Sequence, residues 1–74
     1  MVDSRARQAE LDAFARRKGW RRSRYRSWHA NGWTIAVGSH GYPKRNFIAS
    51  RKDRTQEFGS LDDLERLVAP RTRR

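Results

Sequence analysis

The chain has 74 residues, and 18 Lys and Arg against 8 Asp and Glu leave a formal net charge of +10, with no cysteine. This excludes disulfides and the common zinc ribbons and fingers, and leaves room for one small core. It also sets self-repulsion against compaction, which an anionic partner would relieve.

Fifteen of the 18 cations are arginine, whose planar fork suits phosphate and guanine edges better than an ammonium does. A GC-rich genome that encodes Arg wherever any cation will serve is the compositional alternative. No apolar run approaches the roughly 18 to 20 residues that cross a bilayer, and acidic Asp3 with no apolar stretch after it is unlike a signal peptide. The expected location is cytoplasmic.

Taken in chain order, Asp3 or Ser4 can cap a helix running to about Lys18, with Leu11, Phe14 and Ala15 as its apolar stripe and Gly19 as its stop. Glu10 and Asp12 lie toward its start and Arg16, Arg17 and Lys18 at its end, the order a helix dipole favours. From Arg22 to Val37 the period changes to two, and Asn31-Gly32 signals a hairpin. Two registers compete. A two-residue loop puts Trp28 on the face of Trp33, Ile35 and Val37, with Arg26 and Arg24 following in the same parity. A three-residue loop 30–32 instead puts Tyr25 and Ser27 inside and turns Arg22, Arg24, Arg26 and Trp28 outward. The second is preferred, because an unpaired buried guanidinium costs several kcal/mol and a bulge much less.

Residues 39–46, with Gly41, Pro43, Lys44 and Arg45, read as an exposed loop. A third strand covers 47–51, and Lys52-Asp53-Arg54 turns the chain into a short fourth over 55–58. Gly59 ends it, and Ser60 caps a last helix with Asp63 at the capping-box position and Leu61, Leu64, Leu67 and Val68 as its stripe. Pro70 stops that helix. The expected fold is α+β: a small antiparallel sheet of three to four strands, with an N-terminal and a C-terminal helix packed on one face. Residues 1–70 form a single basic domain in this reading, and 71–74 a flexible basic tail. The expected core is Leu11, Phe14, Tyr25, Trp33, Ile35, Val37, Phe47 or Ile48, Phe58, Leu61, Leu64, Leu67 and Val68.

The strand Gly32-Trp33-Thr34-Ile35-Ala36-Val37 and the run Phe58-Gly59-Ser60-Leu61-Asp62-Asp63-Leu64, a last strand passing through Gly into a capped helix, carry a resemblance. Residues 25–68 resemble the three-stranded-sheet-plus-helix DNA-binding domains of plant ethylene-response factors and of the N-terminal arms of some phage and transposon integrases. The resemblance implies a sheet lying in the major groove and reading bases with outward Arg and Trp side chains, which would be Arg22, Arg24, Arg26 and Trp28. The first helix has no counterpart there, and the last helix is shorter than in that family.

Between Arg16 and Trp28, seven cations surround Trp20, Tyr25 and Trp28 with no acid. Charge attracts phosphate at long range, while rings and guanidinium planes stack on bases. The candidate nucleic-acid contacts are Arg17, Lys18, Arg21, Arg22, Arg24, Arg26, Trp28, Lys44 and Arg45. The bland alternatives are a solvated strand edge and charges complementing a helix C-terminus. His29 and His40 lack a partner at ligand spacing, and Asp62 and Asp63 complement a helix N-terminus, so neither a metal, a cofactor nor a catalytic site is expected. The expected function is non-enzymatic nucleic-acid binding, with DNA favoured over RNA. The alternative is a small phage- or mobile-element-type interaction protein or inhibitor that docks on an acidic surface or a nucleic-acid channel of a protein partner.

Overall fold

A computed structural model describes residues 4–24, 26–38 and 46–69. Helix α1 (Ser4–Lys18) leads into strands β1 (Arg21–Arg22), β2 (Trp28–Ala30), β3 (Trp33–Val37), β4 (Phe47–Arg51) and β5 (Arg54–Phe58), and helix α2 (Leu61–Val68) follows. The five strands form one antiparallel meander in sequence order. The α+β class holds, with one strand more than the sequence suggests.

That extra strand comes from residues 21–28, where alternation alone reads as one continuous strand. The chain turns there instead. Ser27 N–H donates to the Arg24 carbonyl at 3.2 Å, Ser27 Oγ donates to the same carbonyl at 2.6 Å, and Ser23 N–H donates to the Ser27 carbonyl at 2.9 Å. Arg26 takes a left-handed φ of 61° to close the turn. Tyr25, expected in the core, lies outside the described residues, and Ser27 is buried.

The preferred register is also overturned. Ala30 pairs with Trp33 and Trp28 with Ile35, so Asn31-Gly32 is a two-residue loop. Both of its residues have positive φ, 51° and 86°, as a type I′ turn requires, and that turn's twist matches the strands it joins. Trp28 is therefore inside, 4% exposed. Burying an indole removes roughly 200 Å² of mostly apolar surface, on the order of 5 kcal/mol. The feared burial of Arg24 and Arg26 does not follow, because the turn takes both out of strand parity and leaves them exposed.

The inward faces of β2 to β4 supply Trp28, Ala30, Trp33, Ile35, Phe47 and Ala49 to one cluster with Leu11, Phe14 and Ala15 of α1 and Leu61, Leu64 and Val68 of α2. Both helices thus lie on the same face. Val37, Phe58, Leu67 and Trp20 are partly buried against the cluster. Of the two alternatives in β4, Phe47 joins it, while Ile48, 3% exposed, has the opposite parity and stands outside it.

The end of α1 and the start of α2 are closed by local chemistry, the end of α2 by a distant residue. Gly19, at φ 76°, and Trp20 send their N–H groups back to the carbonyls of Arg16 and Ala15, a Schellman motif that needs the left-handed residue glycine adopts freely. Ser60 Oγ accepts from Asp63 N–H at the start of α2. At its end, Asn31 Nδ2 donates to the Val68 carbonyl at 2.6 Å, so the turn residue of one hairpin caps a distant helix.

Candidate nucleic-acid interface

A continuous cationic and aromatic sheet face, the arrangement expected from Arg22, Arg24, Arg26 and Trp28, is not what the fold builds. Trp28 is sealed against α1, and its Nε1 donates to Asp12 Oδ1 at 2.9 Å. The helix-free sheet face carries, by pairing register, Arg21, His29, Thr34, Ala36, Ile48, Ser50, Thr55 and Glu57. That surface is close to neutral. The cations gather instead at the two ends of the sheet.

One group sits at the turn joining β1 to β2. Arg24 and Arg26 are exposed there, and the turn is held to the N-terminal half of α1 by Gln8 Nε2, which donates to the Arg26 carbonyl at 3.1 Å. Arg22, at the end of β1, opposes Trp28 and lays its guanidinium 5.4 Å from the indole centroid, covering the edge of the core while its charge stays in water. Lys44 and Arg45 lie outside the described residues.

The second group surrounds the Asn31-Gly32 turn. On one side of it a cleft of about 350 Å³ is lined by Lys18, Gly19, Trp20, Arg21, His29, Ala30 and Asn31. Arg21 and His29 are direct cross-strand partners, and His29 Nδ1 lies 3.2 Å from Thr34 Oγ1. On the other side a cleft of about 440 Å³ is lined by Asn31, Trp33, Arg51, Arg54, Leu67, Val68 and Ala69. Of the residues singled out in the sequence, this end receives Lys18 and Arg21. Arg17, one residue before Lys18, stands over Phe14 at 5.3 Å and lines a third cleft, where Arg7 and Arg17 are offset by Glu10 and Asp62.

Electrostatically the surface is little compensated. Among the described residues two ion pairs form, Arg7 with Glu10 and Lys18 with Glu65. Asp12 is occupied by Trp28 and Gln8, and Glu57 by Asn46. Arg16, Arg17, Arg21, Arg22, Arg24 and Arg26 are exposed and form no ion pair among the described residues. Lys18 differs from its neighbours, since Glu65 and the Phe14 ring both hold it.

Compared with protein-family models, curated proteins and solved structures, the chain finds no match in any of the three. The resemblance to three-stranded DNA-binding domains therefore carries no family assignment, and its implied base reader, Trp28, is buried. Among the described residues no group of three His, Cys, Asp or Glu could hold a metal, and no helix is long and apolar enough to cross a membrane.

Sequence reasoning misses Arg51 and Arg54. A signal is present: a two-residue turn at Lys52-Asp53 makes the residues flanking it direct partners on one face of the sheet. Charge density points to the run 16–28, where seven cations are consecutive or nearly so. It passes over a pair that only strand pairing brings together.

Proposed function

We propose that the protein is a non-enzymatic nucleic-acid-binding module that grips duplex DNA by its phosphate backbone. The observation that carries the reading is the uncompensated arginine set at both ends of the sheet, with Arg24 and Arg26 at one and Arg21, Arg51 and Arg54 at the other, all exposed and none in an ion pair among the described residues. Guanidinium groups that spend no charge on internal acids are available to displace counterions from phosphates.

Burial of the rings favours a duplex over a single strand. Trp28 and Trp33 are buried and Trp20 packs edge-on against Phe14 at 5.5 Å, so these three indoles offer little free face for the base stacking that single-strand binders use. Attraction to the backbone is left as the main force, with Arg forks able to reach guanine edges.

The test is a titration of random-sequence duplex DNA, duplex RNA and single-stranded DNA across a NaCl series. Duplex DNA should bind with Kd near 10⁻⁴ to 10⁻⁶ M at about physiological salt, and Arg24→Gln with Arg26→Gln should lower the slope of log K against log salt by about 0.9 for each phosphate no longer neutralised. Binding of the single strand ahead of the duplex would overturn the preference. Duplex binding much weaker than this range would favour the competing reading, an interaction protein that docks on an acidic protein surface.

A further inference from the structure

The geometry points to a phosphate seat formed by Arg51 and Arg54 in the cleft between the β4–β5 hairpin and the C-terminal turn of α2. The inference rests on the backbone-binding reading and names where one phosphodiester would be held.

Arg51 and Arg54 are direct partners in the β4–β5 register, on the face that also carries the helices. Like charges opposite one another destabilise a sheet pair, since their Cβ atoms stand only about 4.5 to 5.5 Å apart. No acid among the described residues pairs with either one. Among the described residues, Asp53, in the turn between them, forms no ion pair, and no carboxylate lies within 4 Å of either guanidinium. The C-terminal end of α2 lines the same cleft and its partial negative charge eases the repulsion, but among the described residues no hydrogen bond joins either arginine to its carbonyls, and the Val68 carbonyl accepts from Asn31 instead.

The turn itself is strained. Lys52 adopts a φ of 53°, a conformation that Gly or Asn enters at less cost. A cationic sequence Arg51-Lys52-Asp53-Arg54 thus occupies a hairpin whose tip favours a different residue and whose flanks repel. Such local conflicts concentrate where a site has a ligand to bind.

The pair is also partly organised in advance. Arg51 lies 5.8 Å from the centroid of the Trp33 ring, and its Nε is 3.6 Å from where a Cβ on Gly32 would stand. Held between the indole and the turn, its planar fork loses less freedom on binding. The cleft volume of about 440 Å³ accommodates a phosphate with part of the sugar on either side. Two forks facing one site match the oxygens of a tetrahedral anion.

Arg Nε–Hε resonances followed by NMR during addition of inorganic phosphate, at ionic strength held constant with NaCl, test the seat directly. Arg51 and Arg54 should shift together and saturate while Arg24 and Arg26 do not, and a random-sequence duplex should move the same pair. The variant R51Q/R54Q should leave no arginine that saturates with phosphate and should lower the duplex salt slope by about 0.9, the value of one phosphate. R54Q alone, which leaves Arg51 against Trp33, should weaken the Arg51 response without abolishing it. Both variants should melt at or above the wild-type temperature, because the opposed like charges are gone.

Phosphate shifts spread evenly over all arginines, or an unchanged salt slope in R51Q/R54Q beside intact wild-type duplex binding, would overturn the seat and leave the duplex reading standing. Saturation by phosphate with no duplex binding would sink the duplex reading and assign the pair to a free phosphomonoester.

Discussion

Trp28 Nε1 and Asp12 Oδ1 are joined by a 2.9 Å hydrogen bond across the junction of the first hairpin and the first helix. The same carboxylate oxygen accepts from Gln8 Nε2 at 2.9 Å, so one acid on α1 satisfies a buried indole and its own helical neighbour. An acid in the middle of a helix thereby supplies the acceptor that the inward-facing Trp28 of β2 needs. Without an acceptor at position 12, an indole N–H would enter the interior unpaired.

Replacing Asp12 with Ala should cost about 1 to 3 kcal/mol, since it strands a donor that remains buried. Trp28→Phe should cost a comparable amount through reduced ring area, and a double-mutant cycle should show coupling between the two. Urea unfolding of the four proteins measures this, and additive effects would mean that the hydrogen bond contributes nothing.

Arg26→Gly should raise stability by roughly 0.5 to 1 kcal/mol by relieving a left-handed arginine, while weakening duplex binding. Stability and affinity moving in opposite directions would mark position 26 as held by function. Thermal melts and binding isotherms on the same samples decide it.

The two glycines Gly32 and Gly59 should respond oppositely to Ala. Gly32, at φ 86° and with Arg51 Nε 3.6 Å from the added Cβ position, should become less stable by roughly 1 to 2 kcal/mol. Gly59 has nothing within 4 Å and no positive φ, so its replacement should be neutral or slightly stabilising. Chemical denaturation of both variants provides the comparison.

Raising NaCl from about 10 to 300 mM should increase the melting temperature, because screening weakens the self-repulsion of a chain at net charge +10. Glu65→Gln, which breaks the partly exposed pair with Lys18, should change stability by less than about 1 kcal/mol at physiological salt. A melting temperature that fell with salt would show that the few ion pairs outweigh the general repulsion.

Much of the fold is legible locally. Asn31-Gly32 announces a hairpin, strand β4 can be read over its observed range, and Ser60 with the leucine spacing defines α2. Residues 21–28 are not legible, because a run of arginines alternating with Ser, Tyr and Trp satisfies either parity and hides a turn closed by Ser27 and Arg26. For the candidate site, the exposed cations Arg21, Arg22, Arg24 and Arg26 are visible as charge density. Their separation to opposite ends of the sheet, and the company of Arg51 and Arg54, are not.

The order of residues alone determined the glycine stop of α1, the Ser60 cap of α2 and the place of the Asn31-Gly32 hairpin, which depend on neighbours a few positions apart, and the net positive charge, which depends on composition. The facing of Trp28, the pairing of Arg51 with Arg54 and the capping of α2 by Asn31 belong to the tertiary structure. Each is settled by free energy exchanged between segments brought together in space: an indole covered by a helix, two strands in register, and a turn amide 37 positions from the carbonyl it satisfies. Local pattern carries no term for such interactions, so it could leave the register of β2 open while packing could not.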